Sequence, residues 1–169
     1  FGRIMNYAVI EEDVFIGKGT VVEPGVYIKG PVIIGENCEI RQGAYFRGNV
    51  LVGNDCVVGH TTEVKNSIFM NCAKAGHFAY IGDSILGNNV NLGAGTKLAN
   101  LKITPGTVKL KIGDKIIDSN LRKFGALLGD EVQTGCNSVT SPGTILGKFS
   151  LVFPCMHCHG VFDPISVIK

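Results

Sequence analysis

The sequence lacks long apolar runs, strongly basic stretches and long amphipathic segments. Its apolar runs are only a few residues long, far short of the roughly 20 that cross a bilayer, and no signal-peptide pattern is present. A net charge of +2 is too small to predict a nucleic-acid interface. Segments of about 10 residues with helical periodicity are also missing, which argues against alternating strands and helices. Membrane, nucleic-acid-binding and α/β classes are therefore disfavoured.

The chain also lacks a dense cysteine framework. Its six cysteines are spread over 169 residues and fall at positions of core type. Such cysteines are typical of reduced thiols, so we expect a cytoplasmic protein without disulfides. The length fits one domain. The chain begins at Phe1 without an initiator methionine, so we expect that upstream residues have been removed or belong to another domain.

What the sequence does contain is a period of six residues. Every sixth residue from Ile10 to Val64 is apolar, and the residue four positions after each of these, from Val14 to Ile68, is small or apolar. We expect both series to point inward. Glycine and other turn-forming residues fill many of the positions between them. The first apolar series consists of Ile10, Ile16, Val22, Ile28, Ile34, Ile40, Phe46, Val52, Val58 and Val64.

A six-residue period is typical of a solenoid, because it matches neither a helix nor a simple alternating strand. Three hexads close a triangular coil of about 18 residues, stacked at the spacing of about 4.8 Å between strands. We predict an all-β, left-handed parallel β-helix of about seven coils, a hexapeptide-repeat solenoid forming one domain over 1–169. It divides into lower coils (10–98), an inserted arm (99–125), upper coils (126–163) and a tail (164–169). An ordinary β-sandwich with an accidental period is the alternative.

The period is perturbed at two shortened steps, 64–69 and 81–86, each of five residues. These steps bracket His77 and Tyr80. Because a local departure from a repeat often marks a functional site, we expect one here.

The interval 99–125 has no six-residue period. It contains Pro105 and then Val108, Leu110 and Ile112 in alternation with lysines. This pattern predicts a hairpin or an extended arm. Such an arm can reach a neighbouring subunit.

Residues 18 apart in uninterrupted hexads stack on the same face, so one outward column contains Glu11, Lys29, Arg47 and Lys65. Like charges on neighbouring strands repel. A phosphate between Arg47 and Lys65 would convert that repulsion into binding. A solvated surface, on which salt screens the repulsion, is the alternative.

A histidine lies close to this column, between the two shortened steps. His77 follows the small Gly76, and an imidazole can accept a proton near neutral pH. The outward Glu63 could orient that imidazole or could be an ordinary surface carboxylate. A lone histidine is more often structural than catalytic, so both readings stay open at this point.

The run EVKNSIFMNCAKAGHFAYIGDSILGNNVNLGAGTKLAN at 63–100, together with Arg47, closely resembles a known domain. It is similar to the acetyltransferase domain of bifunctional UDP-N-acetylglucosamine pyrophosphorylase/glucosamine-1-phosphate N-acetyltransferases. The similarity to the archaeal sugar-1-phosphate nucleotidylyltransferases with an acetyltransferase tail is stronger still, because the inserted arm and the stretch at 121–130 also resemble theirs. The specific element is K-A-G-H-x-x-Y-x-G-D at 74–83.

The resemblance implies transfer of acetyl from acetyl-CoA to the amine of glucosamine 1-phosphate or galactosamine 1-phosphate, in UDP-N-acetyl-sugar biosynthesis and without a metal. It implies a homotrimer with sites shared between subunits. By the same resemblance His77 is the general base supported by Glu63, Arg47 and Lys65 hold the phosphate, Tyr80 and Asn91 contact the sugar, and Ala94, Asn100 and Cys136 line the acetyl-CoA groove.

The sequence departs from the bacterial members of the family. The N-Y-D-G loop is absent, so Lys102 is the substitute considered for its lysine. Cys136 stands where bacterial members have a serine. No nucleotidyltransferase domain with a glycine-rich phosphate loop is present in these residues, so uridylyl transfer is not predicted for them.

Other functions remain as alternatives. Residues 155–159 match the haem-attachment pattern C-x-x-C-H and could also suggest a zinc site. The hexad register argues against both, because it points Cys158 inward and puts Cys155 near a corner, so the two sulfurs should diverge. A γ-class carbonic anhydrase needs three histidines, and His60 and His77 have no obvious third partner. A non-catalytic β-helix scaffold and an acyltransferase for another amino sugar are the remaining candidates.

Overall fold

The computed structural model describes residues 2–169 as a triangular prism of three parallel sheets. The first sheet, in spatial order, is β1 (Arg3–Ile4), β4 (Val21–Val22), β7 (Glu39–Ile40), β10 (Val57–His60), β13 (Lys74–His77), β16 (Asn91–Leu92), β21 (Gln133–Thr134), β24 (Leu151–Val152) and β27 (Val167–Ile168). The second is β2 (Val9–Ile10), β5 (Tyr27–Lys29), β8 (Tyr45–Arg47), β11 (Glu63–Lys65), β14 (Tyr80–Gly82), β17 (Lys97–Leu98), β22 (Val139–Thr140) and β25 (His157–Cys158). The third is β3 (Val14–Ile16), β6 (Val32–Ile34), β9 (Val50–Val52), β12 (Ser67–Phe69), β15 (Ile85–Leu86), β20 (Ala126–Leu128), β23 (Thr144–Leu146) and β26 (Val161–Phe162).

The architecture is the predicted left-handed β-helix, but the predicted number of coils is wrong. The first sheet has nine strands rather than about seven. Arg3–Ile4 pairs with Val21–Val22 below the first recognised hexad, and Val167–Ile168 pairs with Leu151–Val152 at the other end. The segment 164–169, expected to be a tail, therefore contributes a strand. Eight spacings of about 4.8 Å make the prism about 38 Å tall.

Between β17 and β20 the chain leaves the coil and forms an antiparallel hairpin. The hairpin strands are β18 (Lys109–Ile112) and β19 (Lys115–Asp118). Val108 at its base is buried, whereas most of the hairpin is exposed. Lys102 donates from Nζ to the carbonyl oxygen of Thr107 at 3.1 Å, so its ammonium is held within the arm.

The interior is filled by the inward residues of the hexads. Nine of the ten residues from Ile10 to Val64 in the first apolar series are buried, and Ile10, which lies in the first coil, is partly buried. One inward assignment is wrong. Ser67 and Phe69 point into the core, and Ile68 faces outward, because the corner before them is one residue shorter.

The two shortened steps fall at the corner between the second and third sheets, named here the lysine corner (residues 47–50, 65–67, 82–84 and 99–100). Lower down, two residues such as Gly48 and Asn49 make this turn, whereas Asn66 or Asp83 alone makes it higher up. Asn49, Asn66 and Asp83 all have a positive φ, a left-handed conformation that asparagine and aspartate tolerate better than most residues. The tighter turn stacks these polar side chains above one another.

No helix in residues 2–169 is long and apolar enough to cross a membrane.

Candidate functional site

Two cations stack on the outer face of the second sheet. Lys29 pairs with Arg47, and Val64 pairs with Phe46, so Lys65 lies directly above Arg47. The column predicted from the 18-residue spacing is therefore present.

Each of these cations already has a carboxylate partner. Nη1 of Arg47 lies 2.7 Å from Oε1 of Glu63, and Nζ of Lys65 lies 3.2 Å from Oδ2 of Asp83. Glu63 is thus bonded to Arg47 rather than to His77, which it was expected to orient. The two carboxylates offset the repulsion between the cations, so the stacking does not by itself require a bound anion.

Asp83 lies at the centre of a polar cluster at the lysine corner. The Lys65 and Asp83 side chains are only 12% and 15% exposed. Nδ2 of Asn66 donates to Oδ1 of Asp83 at 3.0 Å, and Nδ2 of Asn100 donates to Oδ2. Partial burial pushes the pKa of Asp83 upward, but the hydrogen bonds from the two asparagines and the lysine outweigh it, so the pKa lies below its ordinary value. The cluster fixes a charged lysine in a mostly dry position.

Tyr80 joins this cluster from the neighbouring rung. Its hydroxyl donates to Oδ1 of Asn100 at 3.4 Å. A Cβ on Gly82 would lie 2.6 Å from Nδ2 of Asn100 and 2.8 Å from the Tyr80 hydroxyl. A side chain at position 82 would therefore push the Tyr80 and Asn100 side chains out of their present contact.

A second corner, between the first and second sheets, carries His77 and is named here the histidine corner (residues 59–62, 76–79, 93–96 and 135–138). His77 is exposed and stacks on His60 of the coil below. The amide of Gly95 donates to the carbonyl of His77 at 3.0 Å, and that of Asn137 donates to the carbonyl of Ala94 at 2.8 Å. The stack therefore continues upward from His77 through Ala94 to the coil that contains Cys136.

The corner residue after His77 adopts an unusual backbone conformation. Phe78 has a φ of 51°, in the left-handed region that bulky residues rarely occupy, and its side chain is exposed. Its ring meets the ring of His60 edge-on, with centroids 5.3 Å apart. The packed aromatic residue helps to hold the turn that presents His77.

The structure brings most of the predicted site residues onto one side of the prism. Glu63 and Tyr80 begin strands of the second sheet next to the histidine corner, and Arg47 and Lys65 end strands of the same sheet. His77 ends a strand of the first sheet, at the histidine corner that joins the first sheet to the second. The acceptor-binding candidates therefore share the outer face of the second sheet, and the candidate base lies at the corner beside that face.

Two predicted residues lie apart from their expected partners. Asn91 is at the opposite edge of the first sheet, where it lines a cavity of about 220 Å³ with Lys74 and Gln133. Asn100 belongs to the lysine corner, away from Ala94 and Cys136. Within one chain, Asn91 does not meet Tyr80, and Asn100 does not join the histidine corner.

The cysteine and histidine segment near the end of the chain does not gather its side chains. Cys158 is buried and Cys155 is exposed, as their register predicts. His157 Nε2 lies 2.8 Å from Oγ of Ser141. Within residues 2–169 no group of three or more His, Cys, Asp or Glu side chains is placed to hold a metal ion, and all six cysteines are free.

Asp83 and Asn66 were not predicted as site residues from the sequence. Their spacing of 17, rather than 18, removes them from a strict hexad column. The two five-residue steps were the available signal, since each removes one corner residue and aligns these positions.

The stacked hexads and the triangular cross-section define the class of this protein: a hexapeptide-repeat β-helix, an architecture shared with acyltransferases. A family model described as the GMPPB C-terminal domain matches residues 28–152. The chain belongs to this family.

Relatives support the same assignment. A bifunctional sugar-1-phosphate nucleotidylyltransferase/acetyltransferase of Sulfurisphaera tokodaii is 38% identical over 152 residues, 90% of this chain and 36% of the relative. A bifunctional protein GlmU of Methanococcus maripaludis strain C7 is 46% identical over 151 residues, 89% of this chain and 36% of the relative. The chain thus spans about a third of their length. The resemblance drawn from the 74–83 element is confirmed.

In two further comparisons the match covers a larger share of the related protein. The putative uncharacterized acetyltransferase YaiX of Escherichia coli K12 is 33% identical over 155 residues, which is 90% of this chain and 67% of YaiX. The crystal structure of Francisella novicida UDP-N-acetylglucosamine acyltransferase superposes with a TM-score of 0.70 at 17% identity, covering 92% of this chain and 58% of that one. The second likeness shows the fold alone.

Proposed function

We propose that this chain is an acetyl-CoA-dependent N-acetyltransferase acting on an amino-sugar 1-phosphate, glucosamine 1-phosphate or its galacto epimer, in UDP-N-acetyl-sugar biosynthesis. The observation that carries the proposal is the position of His77. It stands at the corner beneath Ala94 and the Cys136 coil, and at the edge of the face that holds Arg47 and Lys65. The name of the Sulfurisphaera tokodaii relative, which includes acetyltransferase, supports the same activity.

In the proposed reaction His77 is the general base. The sugar amine attacks the thioester carbonyl carbon, so a C–N bond forms and the C–S bond breaks. The imidazole takes the proton of the amine and gives it to the leaving sulfur, which departs as the free thiol of CoA. A positioned base contributes about 10²–10⁴-fold, and donors directed at the carbonyl oxygen stabilise the developing oxyanion. No step of this reaction calls for a metal.

The acceptor lies on the outer face of the second sheet in this proposal. Arg47 and Lys65 contact its phosphate, and Tyr80 contacts the sugar. Glu63 supports the amine from the adjacent position on the same face. When the phosphate binds, it competes with Glu63 for Arg47 and with Asp83 for Lys65. These two carboxylates therefore lower the affinity of the site for the phosphate.

The donor occupies the upper part of the histidine corner, along Ala94 and Cys136. Asn91 and Asn100 lie away from this groove within one chain, so their assigned contacts need a neighbouring subunit. The proposed assembly is a homotrimer whose sites are shared between subunits, as the family resemblance implies.

The third sheet supports that assembly, because its outward residues form one apolar column over all eight rungs. Successive strand pairs place these side chains in register. The column runs nearly the full height of the prism, as expected of a surface that packs against a second copy of this chain. At its lower end lies a groove of about 800 Å³. The apolar column consists of Phe15, Ile33, Leu51, Ile68, Ile85, Leu127, Ile145 and Val161.

The six free cysteines suit a reducing compartment, so we place the enzyme in the cytoplasm.

The test is release of free thiol from acetyl-CoA with a panel of acceptors. The panel contains glucosamine 1-phosphate, galactosamine 1-phosphate, unphosphorylated glucosamine and UDP-glucosamine. The proposal predicts release with one or both 1-phosphates and much less with glucosamine. Release only with UDP-glucosamine would identify a different acceptor. If no acceptor in the panel causes thiol release, a non-catalytic scaffold is favoured. If the protein binds zinc and catalyses the hydration of carbon dioxide, it is a carbonic anhydrase.

A further inference from the structure

The inserted arm carries the positive charge of the chain. Residues 99–125 contain six Lys or Arg and two Asp, whereas the rest of the chain contains ten Lys or Arg and twelve Asp or Glu. The net charge of +2 therefore divides into +4 on the arm and −2 on the coils. Such a concentration of one sign of charge attracts anions to the surface beside it. None of the cations of the arm has a role in the proposed reaction.

A cavity of about 470 Å³ lies between this arm and the outer face of the second sheet. On the sheet side it is lined by Ala99, Val139, Ser141 and His159, which flank the inward residues of β17, β22 and β25. The arm contributes apolar residues, a threonine and two lysines, and within residues 2–169 no Asp or Glu lines the cavity. A concave, largely apolar cavity with a few polar groups is the usual form of a small-molecule site.

The two lysines that line the cavity are Lys102 and Lys109. Both lie near Asp118, which pairs with Lys109 across the hairpin. The pKa of Asp118 lies below its ordinary value, chiefly because the Thr107 hydroxyl and the Asn120 amide donate to it, with smaller contributions from the two lysines. One carboxylate does not neutralise two ammonium groups. The arm wall of the cavity therefore keeps a net positive charge.

The cavity adjoins the proposed donor groove. Val139 lines the cavity and directly follows residues 135–138 of the histidine corner, so the cavity begins on the coil of Cys136 and extends across the second sheet. Its rungs lie one to three above that of Tyr80, about 5 to 14 Å higher on the same face. In acetyl-CoA the pantetheine chain separates the thioester from the phosphates. A thioester beside His77 therefore leaves the phosphates several rungs away.

We propose that this cavity, with Lys102 and Lys109, binds the phosphate-bearing nucleotide end of acetyl-CoA. The inference rests on the proposed function, which puts the thioester beside His77. The acceptor phosphate is a different ligand, because its cations Arg47 and Lys65 lie two or more rungs lower on the same face. The apolar residues of the cavity pack against the nucleotide, and the two ammonium groups form charge-assisted hydrogen bonds with its phosphate oxygens.

Binding is tested without turnover by isothermal titration calorimetry with adenosine 3′,5′-bisphosphate, which has adenine and phosphates but no thioester. Wild type is compared with Lys109→Gln, Lys102→Gln and Lys111→Gln. Lys111 is the matched control, because it is an exposed lysine on the same hairpin strand and does not line the cavity. We expect the Kd to rise about tenfold in each cavity variant, through loss of a charged hydrogen bond, and less than about twofold in Lys111→Gln.

Equal thermal unfolding midpoints show that the variants are folded. If Lys102→Gln unfolds, because its Nζ also donates to the carbonyl oxygen of Thr107, Lys109→Gln still decides the question. Wild type that does not bind the bisphosphate, or an equal rise in Kd in Lys109→Gln and Lys111→Gln, would overturn the cavity as the site.

The kinetic arm uses the acceptor found in the panel and two donors. With acetyl-CoA, Lys109→Gln is expected to raise the donor KM about tenfold and to leave the acceptor KM unchanged. With S-acetylpantetheine, which has neither nucleotide nor phosphate, wild type and Lys109→Gln should have equal kinetics. An equal loss with both donors would overturn the assignment to the phosphates.

These results separate the two proposals. If wild type binds the bisphosphate in a way that depends on Lys109 but acetylates nothing, the anion site stands and the proposed function fails. If wild type acetylates the 1-phosphates and both cavity variants match it in acetyl-CoA KM, the function stands and the inference about the cavity fails.

Discussion

Replacing Asp83 by alanine removes the acceptor that three donors share at the lysine corner. The Lys65 ammonium would stay in a position that is only 12% exposed, without its carboxylate. The amides of Asn66 and Asn100 would lose the same partner. Breaking a fully buried ion pair by removing one partner costs about 3–5 kcal/mol; with the residual exposure of this pair we expect about 2–3 kcal/mol.

The measurement is urea unfolding at pH 7 and one fixed protein concentration, with the free energy of unfolding compared at constant m-value. Lys148→Met is the matched control, because it breaks an ion pair with Asp130 whose lysine is 62% exposed, and we expect it to change stability very little. Stability of Asp83→Ala within about 0.5 kcal/mol of wild type would refute the view that this cluster is a dry, interdependent unit.

The pH dependence gives a second test of the same cluster. The pKa of Asp83 is lower in the folded state than its ordinary value. Its carboxylate therefore stabilises the fold at neutral pH, and this contribution is lost as the pH falls from the unfolded pKa of about 3.9 through the lower folded one. The stability gap between wild type and Asp83→Asn should narrow below about pH 4, and a gap independent of pH would contradict the assignment.

Three further predictions follow from the packing. Gly59→Ala should lower the free energy of unfolding by at least about 3 kcal/mol, because its Cβ meets the carbonyl of Gly76. Gly76→Ala should change the free energy of unfolding by urea by no more than about 0.5 kcal/mol. Equal losses in the two variants would contradict the different packing at these two glycines. Phe46→Ala should cost about 3–5 kcal/mol in the same assay because Phe46 is fully buried, and a loss below about 1 kcal/mol would be inconsistent with that core. Leu51→Lys on the third sheet should reduce the molar mass in sedimentation equilibrium from trimer to monomer. Leu151→Lys on the first sheet should leave the molar mass unchanged, although Leu151 is 42% exposed and Leu51 is 47% exposed. If both variants remain trimers, the apolar column is not the interface.

The coil could be predicted from the sequence because each short strand and its corner obey local rules. An inward residue every six positions needs no knowledge of distant contacts, and the same count put Lys65 over Arg47. The strands at the two ends were missed because the count of hexads began at Ile10 and stopped at Phe162, although Ile4 and Ile168 each lie one six-residue step beyond those ends.

The parts of the site that could not be predicted depend on the number of residues in each corner and on how far long side chains extend. Losing one corner residue moved Ser67 inward and Ile68 outward, and it brought Asp83 over Asn66. Glu63 was expected beside His77, but its carboxylate extends along the outer face to Arg47. Hexad counting fixes where a backbone position lies and does not choose among the partners a long side chain can reach.

The most direct test of the central claim is the acetyl-transfer rate of His77→Ala at saturating acetyl-CoA and amino-sugar 1-phosphate, with the N-acetylated product identified by mass spectrometry. The account predicts a turnover number about 10²–10⁴-fold below wild type, with an unchanged unfolding midpoint, because the lost group is a general base. A His77→Ala protein that forms the N-acetyl product at the wild-type rate would contradict the assignment of the histidine corner as the catalytic centre.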